Sequence, residues 1–502
     1  MSDACVHDSP DPPQAPPCTL VIFGAGGDLT KRLLMPALYN LASGGLLDQK
    51  FSILGVDHNS LTDEGWRDDL TATMESFTKD PSAEFHAERI DPQPWGFIRE
   101  RLHVIQGDFA EEATFKDLAG RLTGNVVFYL AVAARFFGPV VEGLGKAGLL
   151  KQTDGAFRRI VIEKPFGADL ASAKALNETI LAQGDESQFY RIDHFLGKET
   201  VQSILAIRFA NAMLEPIWRR EYVDYIEITA AETIGVEERG RFYEPTGALR
   251  DMVPNHLFQL LTMVAMEPPG AFDAEAVRDE KTKLVTAIRP VTPENAVRGQ
   301  YAAGREDGQD AAAYGDEPDV VEDSRTETYV ALKLEIENPR WSGVPFYLRT
   351  GKRLAGRRTE IAIHFKAPPF TLFRGAEGRG LVQNVMRLRI DPEPGSATRL
   401  NVKRPGPQMH LAAIETGFCY ADFFDPAPTV GYETLLYDCM MGDPTLFQRA
   451  DTIEASWAAV DPLIQAWKDA PVCFYPAGSP GPKEADELLG RDGHVWLPLG
   501  EK

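Results

Sequence analysis

The chain has 502 residues, with 52 Lys and Arg against 74 Asp and Glu, so its formal net charge is −22 at neutral pH. At ~100–200 residues per domain, this length predicts two or three domains with ample material for a core. The acidic balance argues against nucleic acid or an anionic membrane as a partner, because neutralising phosphate requires Lys and Arg. No apolar run approaches the ~18–20 residues needed to cross a bilayer, and the first residues lack the basic and apolar regions of a secretory signal.

The five cysteines are sparse, odd in number and without a CxxC pair. Such cysteines are typical of a reducing compartment, where thiols act as small apolar side chains, so the sequence predicts a cytoplasmic protein. The nine histidines and five cysteines show no spacing typical of metal ligands, and no metal is predicted.

The first part of the chain predicts a parallel sheet. Residues 1–17 are rich in proline and are predicted to be a disordered lead-in. Pro36 falls inside the first helical pattern and is expected to kink or split that helix. Strand-like apolar runs alternate with helical stretches and occupy residues 19–23, 51–56, 102–106, 125–131 and 159–163. This alternation predicts an α/β domain with a doubly wound parallel sheet over residues 18–190.

After residue 190 the pattern changes to longer alternating strands. They are predicted at residues 225–231, 326–336, 345–349, 360–365, 384–390 and 399–402. Their hairpin-like spacing predicts an α+β unit, a large, mostly antiparallel β-sheet domain with helices on one face, over residues 191–502. Helices are predicted at residues 200–210, 431–441 and 452–466. Residues 299–322 are rich in Gly, Asp and Ala, so a surface loop is predicted there.

The first chemical signal is GAGGDL (residues 24–29), a glycine-rich turn between a strand and a helix. Glycines let the backbone turn tightly and approach a pyrophosphate, and the N–H groups of the helix start then face the anion. Leu29 stands where the GxGxxG pattern has its third glycine, so a tight turn without a ligand stays open. At the end of the second strand, Asp57 suits hydrogen bonds to ribose hydroxyls, whereas His58 is a weak partner for a 2′-phosphate.

Two motifs in the middle of the chain concentrate charge. EKPFG (residues 163–167) ends the last predicted parallel strand, where ligands bind in such sheets. Its Lys164 is either a ligand contact or a surface residue. RIDHFLGKE (residues 191–199) contains Arg191, His194 and Lys198, which together suit an anion site, and Asp193, whose carboxylate suits the orientation of a distant imidazole.

A third segment, RDMVPNHLFQLL (residues 250–261), places two polar side chains on an otherwise apolar helix. Asp251 and His256 lie on one side of this helix. A partly buried histidine needs a hydrogen-bond partner, so His256 is either a structural residue or the imidazole that a carboxylate orients.

These motifs, in this order and spacing, resemble the glucose-6-phosphate dehydrogenases. Further similarity lies in ENPRW (residues 337–341), VPFYLRTGKRL (residues 344–354) and GYETLLYDCMMGDPTLFQR (residues 431–449). The similarity runs from about residue 19 to beyond residue 462. It implies a Rossmann-like dinucleotide-binding domain over residues 18–190. It also implies a substrate-binding domain over residues 191–502, whose large sheet forms the interface of a homodimer or homotetramer.

The resemblance further implies the reaction and its residues. D-glucose 6-phosphate is expected to be oxidised at C1 to 6-phospho-D-glucono-1,5-lactone with hydride transfer to NADP, which is the opening step of the pentose phosphate pathway. The implied residues are, for catalysis, Asp193 and His256; for substrate binding, Lys164, His194, Lys198, Glu232, Asp251, Lys352 and Arg357; and for cofactor binding, Gly24, Ala25, Gly26, Gly27, Asp28, Leu29, Asp57, His58 and Lys164.

The chain departs from the usual family pattern at several positions. Phe195 replaces a frequent tyrosine, which removes one hydroxyl contact to the sugar phosphate. His58 stands where NADP-preferring members carry an arginine, and Asp57 would repel a 2′-phosphate, so use of NAD, alone or with NADP, stays open. Asp391 stands where a glutamine is common, and no substrate contact is assigned to it.

Two other functions are compared with this one. A relative of the glucose–fructose oxidoreductases, another NAD(P)-dependent class acting on sugars, would share the EKP motif but would lack RIDHFLGKE. A catalytically silent regulator that senses the cofactor would have no need of Lys164, Asp193, Lys198 and His256, all of which this chain has.

Overall fold

The computed structural model describes residues 12–500 except residues 81, 82, 86, 154, 307, 371–380 and 425–428. Its N-terminal strands form one six-stranded sheet with the order β3-β2-β1-β4-β5-β6, and all neighbouring strands are parallel. The strands are β1 (Cys18–Phe23), β2 (Ser52–Asp57), β3 (Leu102–Gln106), β4 (Asn125–Leu130), β5 (Arg158–Ile162) and β6 (Phe189–Arg191).

Helices alternate with these strands, as the sequence predicted for a doubly wound sheet. The central strands are buried almost throughout, which fits a parallel sheet covered on both faces. The strand order reverses between β1 and β4, and ligands bind at the carboxyl ends of strands beside such a reversal. The helices are α1 (Met35–Ser43), α2 (Asp63–Phe77), α3 (Pro92–Glu100), α4 (Glu112–Arg121), α5 (Phe137–Lys146) and α6 (Leu170–Leu181).

The helical stretch after β1 is divided near Pro36, as predicted. A π-helical turn covers Thr30–Leu34, and α1 follows with Pro36 in its first turn. A proline lacks the N–H that a later helical position would donate, so the first turn is where a helix accommodates it.

The predicted disordered lead-in differs from the structure over residues 12–17, while residues 1–11 lie outside the described residues. Ala15 is buried, and its N–H donates to the Leu46 carbonyl at 2.8 Å. The Pro13 carbonyl accepts a hydrogen bond from the Tyr437 hydroxyl at 2.6 Å, and the Pro17 carbonyl accepts one from Asn125 at 3.0 Å. The extended, proline-rich segment is therefore fixed against the domain by its carbonyl groups.

The rest of the chain builds a nine-stranded sheet with the order β16-β15-β14-β13-β7-β12-β11-β8-β17. Its neighbours are antiparallel except for β7 with β12 and β8 with β17, which confirms the predicted large, mostly antiparallel sheet. The strands, with a separate hairpin of β9 and β10, are β7 (Val223–Ala231), β8 (Ala296–Ala302), β9 (Gly304–Glu306), β10 (Gln309–Ala311), β11 (Tyr329–Leu334), β12 (Phe346–Gly351), β13 (Arg358–Phe365), β14 (Val385–Asp391), β15 (Gly395–Lys403), β16 (Leu411–Cys419) and β17 (Cys473–Pro476).

The helices of this part are α7 (Glu199–Phe209), α8 (Gly240–Tyr243), α9 (Gly247–Met252), α10 (Phe258–Ala265), α11 (Ala274–Thr286), α12 (Glu433–Met441), α13 (Ala450–Trp467) and α14 (Lys483–Gly490). One large core joins α10, α11, α12 and α13 to both sheets, and a smaller, tyrosine-rich core lies under α14. Within the described ranges, no helix combines the length and apolar character that crossing a bilayer requires.

The prediction of a surface loop at residues 299–322 is wrong for much of that segment. It contains the end of β8 and the β9–β10 hairpin. Tyr301 and Tyr314 are buried there, and the Tyr301 hydroxyl accepts from the Val236 N–H and donates to Glu317, both at 3.0 Å. Two buried tyrosines thus anchor a stretch whose composition is otherwise typical of a loop.

Candidate active site

The glycine-rich turn leaves β1 beside the reversal of strand order. Gly24 has a φ of +90°, and a Cβ there would overlap the carbonyl oxygen of Ala131, so the position requires glycine. The Gly24 carbonyl accepts hydrogen bonds from the Gly27 N–H at 3.0 Å and from the Thr30 hydroxyl at 2.9 Å. These bonds hold the turn against the start of the helix, which is the backbone shape that suits a pyrophosphate.

The other predicted residues of this turn shape it from both sides. Ala25 is buried, and its carbonyl accepts the indole N–H of Trp66 at 3.0 Å. Asp28 is exposed and accepts a hydrogen bond from Arg32 one helical turn later at 3.3 Å. Leu29 packs against the main core.

Asp57, the last residue of β2, is buried against the same turn. One carboxylate oxygen accepts the Gly26 N–H at 2.8 Å, and the other accepts the N–H and side-chain amide of Asn59 at 2.9 and 3.0 Å. The His58 side chain is 71% exposed, and its Nδ1 lies 3.4 Å from Asp57. The structure therefore brings the predicted ribose-recognising pair next to the predicted phosphate turn.

Lys164 follows β5 directly and lies between two other predicted site residues. Its Nζ donates to Asp251 Oδ1 at 2.8 Å and lies 2.8 Å from His256 Nε2. The peptide bond between Lys164 and Pro165 is cis. Burial alone would raise the pKa of Asp251, but the charge and hydrogen bond of Lys164 outweigh burial and hold that pKa at about 2. Asp251 is therefore ionised and pairs with the ammonium group.

His256 lies in a second π-helical turn, Val253–Leu257, between α9 and the buried α10. Such turns occur frequently at functional sites. The His256 Nδ1 lies 2.6 Å from Asp193 Oδ1, and both residues are 1% exposed. Burial tends to raise the pKa of Asp193, yet the charge and hydrogen bond of His256 lower it to about 2. An ionised Asp193 keeps a proton on Nδ1, which leaves Nε2 as the hydrogen-bond acceptor.

Two side chains of the RIDHFLGKE motif pack on this imidazole, and a third lies over one of them. The Phe195 ring stacks on His256 with 4.4 Å between centroids, and His194 meets His256 edge-on at 4.7 Å. Lys198 Nζ lies 4.9 Å from the Phe195 centroid. Burial holds the pKa of His194 well below its usual range, and a proton on His256 Nε2 would lower it further, so His194 is neutral at pH 7. Burial also lowers the pKa of Lys198, although the charge of Asp391 opposes this shift.

Glu232 and Lys352 form an ion pair because their strands are parallel neighbours. β7 and β12 end in register, with Ala231 opposite Gly351, and the next residue of each strand carries the charge. Lys352 Nζ donates to Glu232 at 2.6 Å. The charge of Lys352 also contributes to the lowered pKa of Asp251, so this pair borders the chain of contacts through Lys164.

Arg357 lies at the edge of the site and is engaged by Asp391. Its guanidinium donates to both carboxylate oxygens of Asp391 at 2.7 and 3.0 Å, while 61% of its side chain stays exposed. The charges of both residues act on the pKa of Lys198, which places the ion pair beside the anion-binding motif.

Sequence reasoning assigned no role to Glu163, although it belongs to the EKPFG motif. Its carboxylate accepts a hydrogen bond from the hydroxyl of Tyr129 on β4, and the hydroxyl of Tyr432, before α12, lowers its pKa. A carboxylate at the end of a buried strand needs such donors, and that requirement is the signal that sequence alone offered.

Asp193, His194 and His256 are the one group among the described residues whose ligand-type atoms gather as in a metal site, within 4.8 Å of one another. Two of these residues already bond to each other through Asp193 Oδ1 and His256 Nδ1. The arrangement therefore serves first as a carboxylate–imidazole dyad.

Two family models match the chain in succession. "Glucose-6-phosphate dehydrogenase, NAD binding domain" matches residues 21–203, and "Glucose-6-phosphate dehydrogenase, C-terminal domain" matches residues 205–497. Curated relatives named glucose-6-phosphate 1-dehydrogenase include that of Chlamydia pneumoniae, which is 42% identical with 97% of each chain covered. The protein of the same name from Bacillus subtilis is 40% identical, with 96% of this chain and 99% of the relative covered.

Solved structures of similar proteins extend over the same length. Glucose-6-phosphate 1-dehydrogenase from Mycobacterium avium has a TM-score of 0.83 and 36% identity, with 96% of this chain and 99% of the other covered. A glucose-6-phosphate dehydrogenase in complex with its substrate glucose 6-phosphate has a TM-score of 0.86 and 30% identity, with 97% and 100% covered.

Proposed function

Because the chain belongs to the glucose-6-phosphate dehydrogenase family, we propose that the site around Asp193 and His256 is where it oxidises glucose 6-phosphate. The reaction converts D-glucose 6-phosphate at C1 to 6-phospho-D-glucono-1,5-lactone and opens the pentose phosphate pathway. The enzyme is an oxidoreductase that uses a nicotinamide cofactor. The observation that carries the site assignment is the continuous contact chain from Asp193 through His256 and Lys164 to Asp251.

His256 is the general base in this proposal. Its Nε2 takes the proton of the C1 hydroxyl while Asp193, bonded to Nδ1, holds the ring and stabilises the imidazolium that forms. The bound cofactor supplies the acceptor for the hydride that leaves C1. The lactone is the product, and one proton and one hydride leave C1 and its hydroxyl while the phosphate is unchanged. A well-placed general base contributes ~10²–10⁴-fold to such a step.

The sugar phosphate is proposed to lie against the RIDHFLGKE motif. Lys198 provides the positive charge and His194, neutral at pH 7, provides a hydrogen bond. Arg357 borders the same region through its pair with Asp391. Phe195 stacks on His256 here, so the position of the frequent family tyrosine supports the base instead of contacting the phosphate.

The sugar hydroxyls are proposed to contact Glu232, Asp251 and Lys352. Carboxylates accept hydrogen bonds from hydroxyl groups, and the two ion pairs with Lys352 and Lys164 orient both carboxylates. Lys164 lies at the carboxyl end of β5, between the sugar and the cofactor crevice, and is assigned to both ligands.

The residues of the glycine-rich turn fit a dinucleotide, since Gly24 leaves no room for a Cβ and the turn precedes a helix start. Gly24, Ala25, Gly26, Gly27, Asp28 and Leu29 would hold the pyrophosphate, with Asp57 and His58 at the adenosine ribose. We infer that NADP is used and that NAD is also accepted. Asp57 is a buried carboxylate suited to ribose hydroxyls. Lys31 pairs with Asp69 at 2.7 Å and Arg32 with Asp28 at 3.3 Å, which leaves His58, beside Asp57, to meet a 2′-phosphate.

The decisive experiment follows nicotinamide absorbance with glucose 6-phosphate and either NADP or NAD at matched concentrations. Reduction of either cofactor is the expected result, and comparable rates support dual use. A strong NADP preference contradicts the selectivity assigned to Asp57. Protein that binds both ligands without turnover contradicts the enzyme and supports the cofactor-sensing regulator instead.

The assembly is proposed to be a homodimer or homotetramer through the large sheet of residues 191–502. Leu400 on β15 and Ile414 on β16 are paired in register and are 40% and 45% exposed, so the end of the sheet presents apolar surface. Light scattering of the purified protein tests this. A cytoplasmic location is supported by the free thiols of Cys18, Cys419, Cys439 and Cys473.

The division into domains at residues 18–190 and 191–502 remains a prediction. The boundary falls within β6, whose last residue is Arg191, so the parallel sheet extends one residue beyond it.

A further inference from the structure

Glu163 follows the last residue of β5 and precedes Lys164, the lysine of the proposed site. It lies two residues beyond Val161, so it shares a sheet face with Val161. Val161 is in register with Tyr129 on β4 and with Tyr190 on β6. The face that bears Glu163 thus carries a tyrosine on each neighbouring strand.

Two tyrosine hydroxyls from different parts of the chain act on the Glu163 carboxylate. Tyr129 Oη donates to Oε1, and the Tyr432 hydroxyl favours the ionised carboxylate by lowering its pKa. Both rings are buried, at 0% and 4% exposure, so these hydroxyls have little alternative solvent contact. Glu163 is therefore the acceptor for the Tyr129 hydroxyl and the carboxylate on which Tyr432 acts.

The segment that carries Tyr432 also touches the RIDHFLGKE motif. A Cβ on Gly197 would overlap the carbonyl oxygen of Gly431, so these two backbones pack directly. Glu163, at the end of β5, thus interacts through Tyr432 with the segment that packs on the RIDHFLGKE motif, and it directly precedes Lys164.

We propose that Glu163 is a positioning residue for Lys164, and that full turnover requires its ionised carboxylate, held by Tyr129 and Tyr432. The proposal rests on the function proposed above. An ionised Glu163 accepts from Tyr129, is favoured by Tyr432 and attracts the adjacent ammonium group, whereas the protonated acid gives up acceptor capacity and that attraction. Lys164 would then be less firmly held between Asp251 and His256.

The charges around Glu163 favour a change of state near neutral pH. Burial raises the pKa of Glu163 to about 7, the two tyrosines and Lys164 oppose the rise, and the charge of Asp193 adds to it. Cys439 acts on the pKa of Tyr129, and the charge of Glu84 acts on the pKa of Tyr432. Removing a tyrosine hydroxyl removes an interaction that favours the ionised form, so it should raise the pKa of Glu163 further.

The test measures kcat against pH at saturating glucose 6-phosphate for the wild type and four variants. Glu163→Gln should make the acid limb shallower by one proton, because one of the required ionisations is gone. Tyr129→Phe and Tyr432→Phe should each move the acid limb up by about one pH unit. Tyr190→Phe is the matched control, since it removes a buried hydroxyl from the register position on the other side of Val161, and its acid limb should not move. The substrate's own ionisation is common to all five proteins.

Loss of activity by the same factor at every pH in the Glu163→Gln and both tyrosine variants overturns the proposal in favour of a merely structural role. Infrared titration provides a readout without turnover. The wild type should show a protonated-carboxyl band with a midpoint near pH 7 that Glu163→Gln lacks, and identical spectra overturn the proposal. A wild type that shows the band but does not reduce either cofactor contradicts the proposed function alone.

Discussion

Lys164 contacts His256 Nε2, the atom that we propose accepts the substrate proton. Its Nζ lies 2.8 Å from His256 Nε2 and donates to Asp251 at the same distance. A C1 hydroxyl that reaches Nε2 replaces the first contact, while the ion pair with Asp251 keeps the ammonium group beside the reacting centre. The series of contacts begins at Asp193 and ends at Asp251, and the negative charges of these two carboxylates balance the positive charges of Lys164 and of the imidazolium that forms.

Replacing the base should reduce turnover much more than binding. His256→Asn keeps a polar side chain of similar size that cannot accept the proton, so we expect kcat to fall ~10²–10⁴-fold with a small change in KM. His103→Asn is the matched control, because His103 lies exposed on β3 and bonds to Asp63. Steady-state kinetics with glucose 6-phosphate measure both variants. Wild-type turnover in His256→Asn would remove this residue from the base role.

Truncating the proposed phosphate contact should change KM more than kcat. Lys198→Ala loses a charged hydrogen bond worth ~1.5–3 kcal/mol, so KM for glucose 6-phosphate should rise roughly 10- to 100-fold. A smaller fall in kcat is expected, because remote binding energy helps to position C1. Lys116→Ala, in the exposed ion pair with Glu112, serves as the control for losing one positive charge. A KM unchanged in Lys198→Ala contradicts the assignment.

Among the local elements, the turn after β1 has a geometry that tolerates little change. Gly24→Ala would place a Cβ against the Ala131 carbonyl in a backbone conformation with φ of +90°. We expect loss of cofactor binding and a lower melting temperature, since the strain of about 1–3 kcal/mol adds to the overlap. Fluorescence titration with NADPH measures the first effect and calorimetry the second.

A control separates the overlap from the strain. Gly45 has a φ of +68°, and nothing lies within 4 Å of the Cβ that alanine would add there. Gly45→Ala should therefore lose some stability and keep cofactor binding. Equal cofactor affinity in Gly24→Ala and Gly45→Ala would show that the turn does not touch the dinucleotide.

Elements with a strong apolar pattern could be predicted from sequence, whereas those held by partners could not. β3 was predicted at residues 102–106, where it lies, because its apolar residues are bounded by polar ones. β16 was missed, since five consecutive residues in its centre are exposed and show no alternation. β6 has three residues, too few for any periodicity, and it is formed through its pairing with β5.

The site shows the same division. The pairing of Asp193 with His256 was implied by the family resemblance, whereas the residues alone required only some partner for a buried imidazole, and the two side chains lie 2.6 Å apart. The pair of Arg357 with Asp391 could not be predicted, because it depends on the antiparallel register of β13 and β14. Glu163 was missed for a similar reason, since its tyrosine partners lie 34 residues before it in β4 and far downstream before α12.

For the whole molecule, the last helices return to pack on the first sheet. The Arg159 guanidinium on β5 donates to the carbonyls of Cys439 and Met440 at the end of α12, both at 2.7 Å. The Trp457 indole N–H on α13 donates to the Phe166 carbonyl at 2.9 Å. The main core is continuous through these helices. The parallel sheet and the C-terminal part should therefore unfold together.

A single substitution at this contact tests that cooperativity. Arg159→Ala removes both hydrogen bonds to α12 and the packing of the guanidinium on the Phe157 ring, at 3.7 Å. We expect a loss of about 2–4 kcal/mol in the free energy of unfolding, because hydrogen bonds to charged groups contribute ~1.5–3 kcal/mol and the two carbonyls share one guanidinium. Differential scanning calorimetry should show one transition at a lower temperature.

The matched control for Arg159→Ala is Arg121→Ala on α4, where an exposed arginine bonds to Asp117 one helical turn away at 3.0 Å. Exposed pairs of this kind contribute less than ~1 kcal/mol, so its melting temperature should hardly change. If Arg159→Ala instead split the calorimetric trace into two transitions, α12 would be a separable support for the parallel sheet. A single shifted transition means that the stability of the parallel sheet depends on α12. The partners of Arg159 in that helix, Cys439 and Met440, lie 280 and 281 residues further along the chain, so this dependence joins distant parts of the sequence.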